Sequence, residues 1–155
     1  MAAIGFRQKL SSWVQSPRFW AVCFALWVCF VWGHSLLDGD ASSAESSRFA
    51  FLLYPWLIRD IDLATFIIRK FAHFSEYAVL GIIAWQLRRT WRGVTASVRA
   101  SVLPLVLMVA IPILDETIQL SVPGRSGSPR DVLIDLAGAC TGLLVARTLS
   151  GRRHG

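Results

Sequence analysis

Lys70, His73, Glu76 and Tyr77 follow one another at offsets of three, six and seven, which puts them on one stripe of a helix. They begin an apolar run, so a proton-moving pair sits among hydrocarbon. A histidine beside a glutamate can act as general acid and base, although the His-x-x-Glu spacing alone is a weak signal. Further along, Asp115 and Glu116 precede Gln119 by four and three positions, so the three converge on one helix face. Asp131 and Asp135 are followed by Gly138 and Gly142. That G-x-x-x-G spacing permits close backbone approach and aims the two aspartates at a neighbouring helix. Between these groups, Gly124 and Gly127 flank Arg125, a cation suited to bidentate capture of phosphate or carboxylate.

Roles can be assigned by chemistry. His73 and Glu76 are the expected acid and base, and Asp115 with Glu116 would position water or bind a divalent cation. Lys70, Gln119, Arg125, Asp131 and Asp135 would line the ligand. A metal needs three or four ligands, which His73, Glu76, Glu116 and Asp135 could supply, but no spacing here is diagnostic of one. Each residue also has a structural reading. Ser128, Pro129 and Asp131 fit a capping box at a helix start. Arg69 and Lys70 could snorkel to a membrane interface. Glu76 and Asp135 could lock helices through hydrogen bonds, and the whole set could be a polar network that fixes packing. The sequence has no G-x-S-x-G, H-E-x-x-H or P-loop.

The elements that must hold these residues are membrane helices. The chain has 155 residues, 54% hydrophobic and 17% charged, with a mean hydropathy of +0.51. A soluble core of this size alternates apolar and polar faces, whereas here long apolar runs recur. A crossing helix needs about 20 mostly apolar residues, and four windows approach that length, at about 19–37, 65–87, 100–120 and 131–149. The first is uninterrupted by charge and reads as an uncleaved anchor rather than a signal peptide. Between the first two windows lies a polar loop, 38–62, in which Phe49 to Ile58 is apolar but too short to cross. It fits an interfacial or re-entrant segment, or a loop folded over the bundle. Cys23, Cys29 and Cys140 lie in apolar runs without C-x-x-C spacing and read as free thiols.

The net charge of +6 shows no basic stripe interleaved with aromatics, so nucleic acid is not an expected partner. The basic residues are topogenic. Ten of the sixteen Lys and Arg residues precede the first window, join the second to the third, or lie in the last turn of the fourth or after it. The positive-inside rule then puts both termini in the cytoplasm. The ten acids all fall in the opposite loops or in the halves of the spans next to them. An ionisable group at membrane depth costs at least about 2.5–3.5 kcal/mol on insertion scales, so a cluster of them marks a pocket on the outer side. The expected fold is an all-α, integral-membrane four-helix bundle forming a single domain over 1–155, with room for a homodimer.

Lys70, His73, Glu76, Tyr77 and Gly81, then Asp115, Glu116 and Gln119, then Pro123, Gly124, Arg125 and Gly127, then Asp131, Asp135 and Gly138 resemble, in order and spacing, the VanZ-like family of bacterial membrane proteins. The resemblance covers about residues 65 to 145. Where the family commonly carries Asn near the start of the last span, this chain has Asp135, which adds a carboxyl group to the pocket. The resemblance implies a multi-pass protein of the bacterial cytoplasmic membrane, linked to the envelope. The family takes its name from a member associated with teicoplanin resistance, which does not imply that this chain confers it.

Two functions follow as expectations. One is an intramembrane enzyme, a hydrolase or transferase acting on a lipid-linked phosphate or cell-envelope lipid, with Arg125 on the anionic head group and a divalent cation as its candidate cofactor. The other is a non-catalytic module that binds envelope lipids, glycopeptides or cell-wall enzymes. A proton or ion relay is disfavoured, because the inner halves of the spans carry no interior charges.

Overall fold

The computed structural model describes residues 14–36, 60–125 and 127–152. These form four α-helices and, among the described residues, no strand: α1 Pro17–Ser35, α2 Ile61–Val94, α3 Val98–Gln119 and α4 Pro129–Gly151. The expected interfacial or re-entrant segment at 49–58 lies outside the described residues.

Helix starts are set by side-chain caps. Ser16, Ser97 and Ser128 accept from the backbone N–H two residues on, and Asp60 accepts from Asp62 and Leu63. Pro17 and Pro129 follow their caps at the first helical position, where a missing N–H costs nothing. The Asp60 cap explains why α2, at 34 residues, runs further than the apolar window at 65–87. Hydropathy registers where the apolar run stops, whereas the helix continues through its charged ends. α3 continues through Pro104 and Pro112, both buried, as a helix packed against neighbours tolerates.

Three helices, α1, α3 and α4, are long and apolar enough to cross a membrane; α2 is not among them. Its Arg69, Lys70 and Glu76 interrupt the apolar run. Polarity is distributed inside out. Leu26, Phe30, Val106, Ile113, Leu133 and Leu144 are exposed, while Ser35, His73, Asp115, Glu116, Gln119 and Asp135 are buried. Water would reverse that arrangement, and a hydrocarbon solvent favours it. Cys29 and Cys140 are likewise exposed, Cys23 packs against the core, and all three thiols are free.

α2 is the hub. It packs against the three other helices, whereas α1 and α4 do not touch. The seam with α4 is closest. A methyl group on Gly138 would overlap the Phe74 carbonyl oxygen, one on Gly142 the Ala78 carbonyl oxygen, and one on Gly81 the Ala139 carbonyl oxygen. The G-x-x-x-G reading therefore holds, with Gly81 as its counterpart on the facing helix. Tyr77, Leu80, Ile83, Ala84 and Leu87 fill the middle with Phe24, Val31, Met108, Ile111 and Ala139. On α1, Trp27 donates through Nε1 to the Glu76 carbonyl oxygen at 2.9 Å. At the end of the bundle where α2 stops, Arg88 donates to the Ser101 carbonyl oxygen at 2.9 Å and lies near Arg92 and Arg147.

Candidate functional site

At the other end, the stripe on α2 meets a different partner at each turn. Lys70 Nζ pairs with the Asp131 carboxylate of α4. This replaces the snorkelling expected for Lys70, and its cause is burial, since the two side chains are only 17% and 19% exposed. One turn on, His73 Nδ1 lies 3.7 Å from Asp135 Oδ1. That is too long for a hydrogen bond. Glu76 Oε1 lies 3.1 Å from His34 Nδ1 of α1. The expected His73–Glu76 pair is therefore not formed. The carboxylate turns toward α1 while the imidazole turns toward α3 and α4.

The two acids of α3 separate in the same way. Asp115 points into the bundle with no exposed surface, where Gln119 Nε2 donates to its Oδ2 at 3.3 Å and the Ser35 and Tyr77 hydroxyls face it. Gln119 Nε2 also reaches Ser35 Oγ at 3.4 Å. Glu116 instead accepts from the Ser128 backbone N–H at 2.8 Å. Ser128 caps α4, and in a capping box that N–H would have been taken by Asp131. Glu116 supplies the bond from a neighbouring helix and leaves Asp131 to Lys70. The capping-box reading of Asp131 is corrected accordingly. Glu116→Ala should cost about 1 kcal/mol of stability, read as a lower thermal midpoint in detergent. Glu116→Gln keeps an acceptor and should restore most of it; equal loss in both variants would refute the cap.

His73, Asp115 and Asp135 each bring a ligand atom within 4.8 Å of the others, and all three are buried. Neither Glu76 nor Glu116 joins this group. The four ligands named from sequence therefore shrink to His73 and Asp135, with Asp115 in place of the two glutamates. The physical reason is that Glu76 and Glu116 are already engaged by His34 and Ser128.

Above this cluster is a partly enclosed polar cavity of about 40 Å³, lined by Arg69, Lys70, His73, Gln119, Gly124, Arg125 and Asp131. Gly124 turns the loop with a φ of 72°, a left-handed conformation that suits glycine. The turn carries Arg125 back over α1, where Nη2 donates to the His34 carbonyl oxygen at 3.2 Å. Burial first, and nearby Arg69 second, lower the pKa of Arg125 from its ordinary value, but a guanidinium stays charged at any working pH. Arg69 borders the cavity as well. Beside the cavity, α3 and α4 form an open, mostly apolar groove of about 330 Å³ lined by Ile113, Glu116, Thr117, Leu120, Gly127, Ser128, Pro129 and Val132.

A model of the VanZ/LLP1 family matches residues 19–150, from the first turn of α1 to the last turn of α4. The chain belongs to the VanZ/LLP1 family. No curated protein and no solved structure matches it. The VanZ/LLP1 match takes in the first helix, which extends the family beyond the stretch where the residue strings resemble it. That helix carries two residues missed in the sequence, His34 and Ser35. His34 stands seven residues after Trp27 and four before the apolar run ends in polar chain, so it shares the face that Trp27 turns to α2. A histidine on the inward face of a span described only as uninterrupted by charge was the available signal.

Proposed function

We propose that this VanZ/LLP1 protein is an intramembrane enzyme of the bacterial cell envelope that binds the anionic head group of a lipid-linked phosphate and acts on it. Four helices cross the cytoplasmic membrane with both termini inside. α2 crosses with its ionisable face covered by α1, α3 and α4, and the cavity opens on the extracytoplasmic side, away from Arg88, Arg92 and Arg147. The observation that carries the reading is the lining of one partly enclosed cavity by Arg69, Lys70 and Arg125 together with His73. Cations matched to phosphate surround a group able to move a proton, beside an apolar groove that suits a hydrocarbon chain. Water attacks phosphorus as the bond to the leaving oxygen breaks, and His73, which borders the cavity, takes the water's proton and passes it to that oxygen. Asp115 and Asp135 hold the imbalance of charge beneath it.

A second reading, binding without turnover, is favoured by one observation. Two of the four residues assigned to catalysis, Glu76 and Glu116, are occupied with His34 and Ser128. A module that sequesters an envelope lipid or glycopeptide, or docks a cell-wall enzyme, needs the cations and no acid–base pair.

The test uses purified protein with polyprenyl phosphate, polyprenyl diphosphate and phosphatidylglycerol, measuring binding and head-group release together. Arg125→Ala should weaken binding by about tenfold, the loss of one charge-assisted contact. His73→Ala should remove release while binding persists. Binding without release in the unaltered protein would select the second reading, and no binding to any of the three lipids would defeat the first reading and the lipid-binding form of the second.

A further inference from the structure

The cluster beneath the cavity has more acceptor capacity than its neighbours satisfy. Asp135 has no exposed surface and neither of its oxygens has a hydrogen-bond partner among the described residues; Asp115 Oδ1 and His73 Nδ1 are unpartnered as well. Leaving such groups unpaired costs more than almost any other defect in a buried interior. The nearest cations are committed elsewhere, Lys70 to Asp131 and Arg125 to the His34 carbonyl oxygen. What remains is two carboxylates and one imidazole nitrogen converging on a single point.

We propose that His73, Asp115 and Asp135 form a divalent transition-metal site, suited to Zn²⁺, at the floor of the cationic cavity. Zinc binds imidazole and carboxylate at about 2.0–2.2 Å in tetrahedral geometry, which separates neighbouring ligand atoms by about 3.4 Å. The 3.7 Å between His73 Nδ1 and Asp135 Oδ1 is poor for a hydrogen bond and close to such an edge. Two carboxylates neutralise the ion, and one imidazole selects zinc over magnesium or calcium, which prefer oxygen alone. The surroundings supply outer support. Gln119 holds Asp115 Oδ2 at 3.3 Å, which leaves Oδ1 for the ion, and Ser35 and Tyr77 face the same carboxylate. Three protein ligands leave a fourth position open, as in catalytic zinc sites. His73 borders the cavity, so that position is filled from there by water or a phosphate oxygen; once Nδ1 holds the ion, His73 is a ligand, and the proton-carrying role of the proposed function passes to the metal-bound water. Only the identity of the fourth ligand rests on the proposed function.

The experiment reads metal and not turnover. The full chain, carrying Cys29→Ser and Cys140→Ser to remove exposed thiols that take up zinc, is loaded with Zn²⁺ in detergent, desalted and assayed by mass spectrometry. About one zinc per chain is expected, falling more than tenfold in Asp135→Asn and in Asp115→Asn but not in Glu76→Gln or Glu116→Gln. Co²⁺ loading of the unaltered site should give visible d–d absorption, which keeps the proposal testable if either aspartate variant fails to fold. Zinc below a tenth of an equivalent with no cobalt spectrum would overturn the site, as would zinc retained in both folded aspartate variants. Lipid binding measured on the same preparation separates the two proposals, because head-group binding that depends on Arg125 survives the loss of the metal site.

Discussion

Gly142→Leu is expected to destroy the bundle, and Gly33→Leu to leave it standing. A Cβ at Gly142 would overlap the Ala78 carbonyl oxygen, whereas among the described residues nothing lies within 4 Å of one at Gly33. The obstacle at Gly142 is backbone on a facing helix, so no rotamer change relieves it. α2 and α4 must separate, and the separation propagates along the seam to Gly138 and Gly81. Overpacking costs about 1–3 kcal/mol where side chains can yield, and this contact belongs at or above the top of that range. Tryptophan fluorescence during heating in detergent is the measurement. At Gly33 the substitution replaces a poor helix former and should raise the midpoint slightly. Equal midpoints for Gly142→Leu and the unaltered chain would mean that the seam is not a close backbone contact.

Lys70→Met should be the most damaging single change among the site's charged residues. It leaves the Asp131 carboxylate, 19% exposed, without its cation. Breaking a fully buried pair costs about 3–5 kcal/mol; partial access to solvent lowers the expectation here to about 2 kcal/mol. Asp131→Leu added to Lys70→Met should recover most of the stability, because removing both charges removes the unpaired one. It should not fully recover phosphate binding, since the cavity keeps Arg69 and Arg125 but still lacks the third of its cations. Stability and binding that return together would deny Lys70 any part in the ligand site.

The contrast between what was legible in the sequence and what was not follows the range of each interaction. Spacing along one helix was enough to place Lys70, His73, Glu76 and Tyr77 on a stripe, and to read Gly138 and Gly142 as a close seam. It could not say which neighbour each turn of the stripe would meet. Glu76 and His73 sit three residues apart, yet the first turns to His34 and the second toward Asp135. The helix carries them past two different interfaces. Asp115 and Glu116 are adjacent in sequence and therefore about 100° apart around α3, which sends one into the core and the other to Ser128. The capping box failed for a related reason. Local geometry allowed Asp131 to take the Ser128 N–H, but a carboxylate from α3 competed for it and Lys70 competed for Asp131.

The order in which the helices leave the ribosome adds a constraint. α2 holds Lys70, His73 and Glu76 among its apolar residues, and the carboxylates that face Lys70 and His73, Asp131 and Asp135, lie on α4, which is made after α2. With α2 in the bilayer as proposed, it cannot settle among lipid tails by itself at the moment of synthesis. Only His34 and Trp27 of α1 are already available, and both reach the single residue Glu76. On that topology α2 is expected to settle fully only once α4 arrives and its glycines admit it. On the proposed topology, a chain truncated before α4 leaves Lys70 and His73 without those carboxylates, and it should be degraded in cells faster than the full chain.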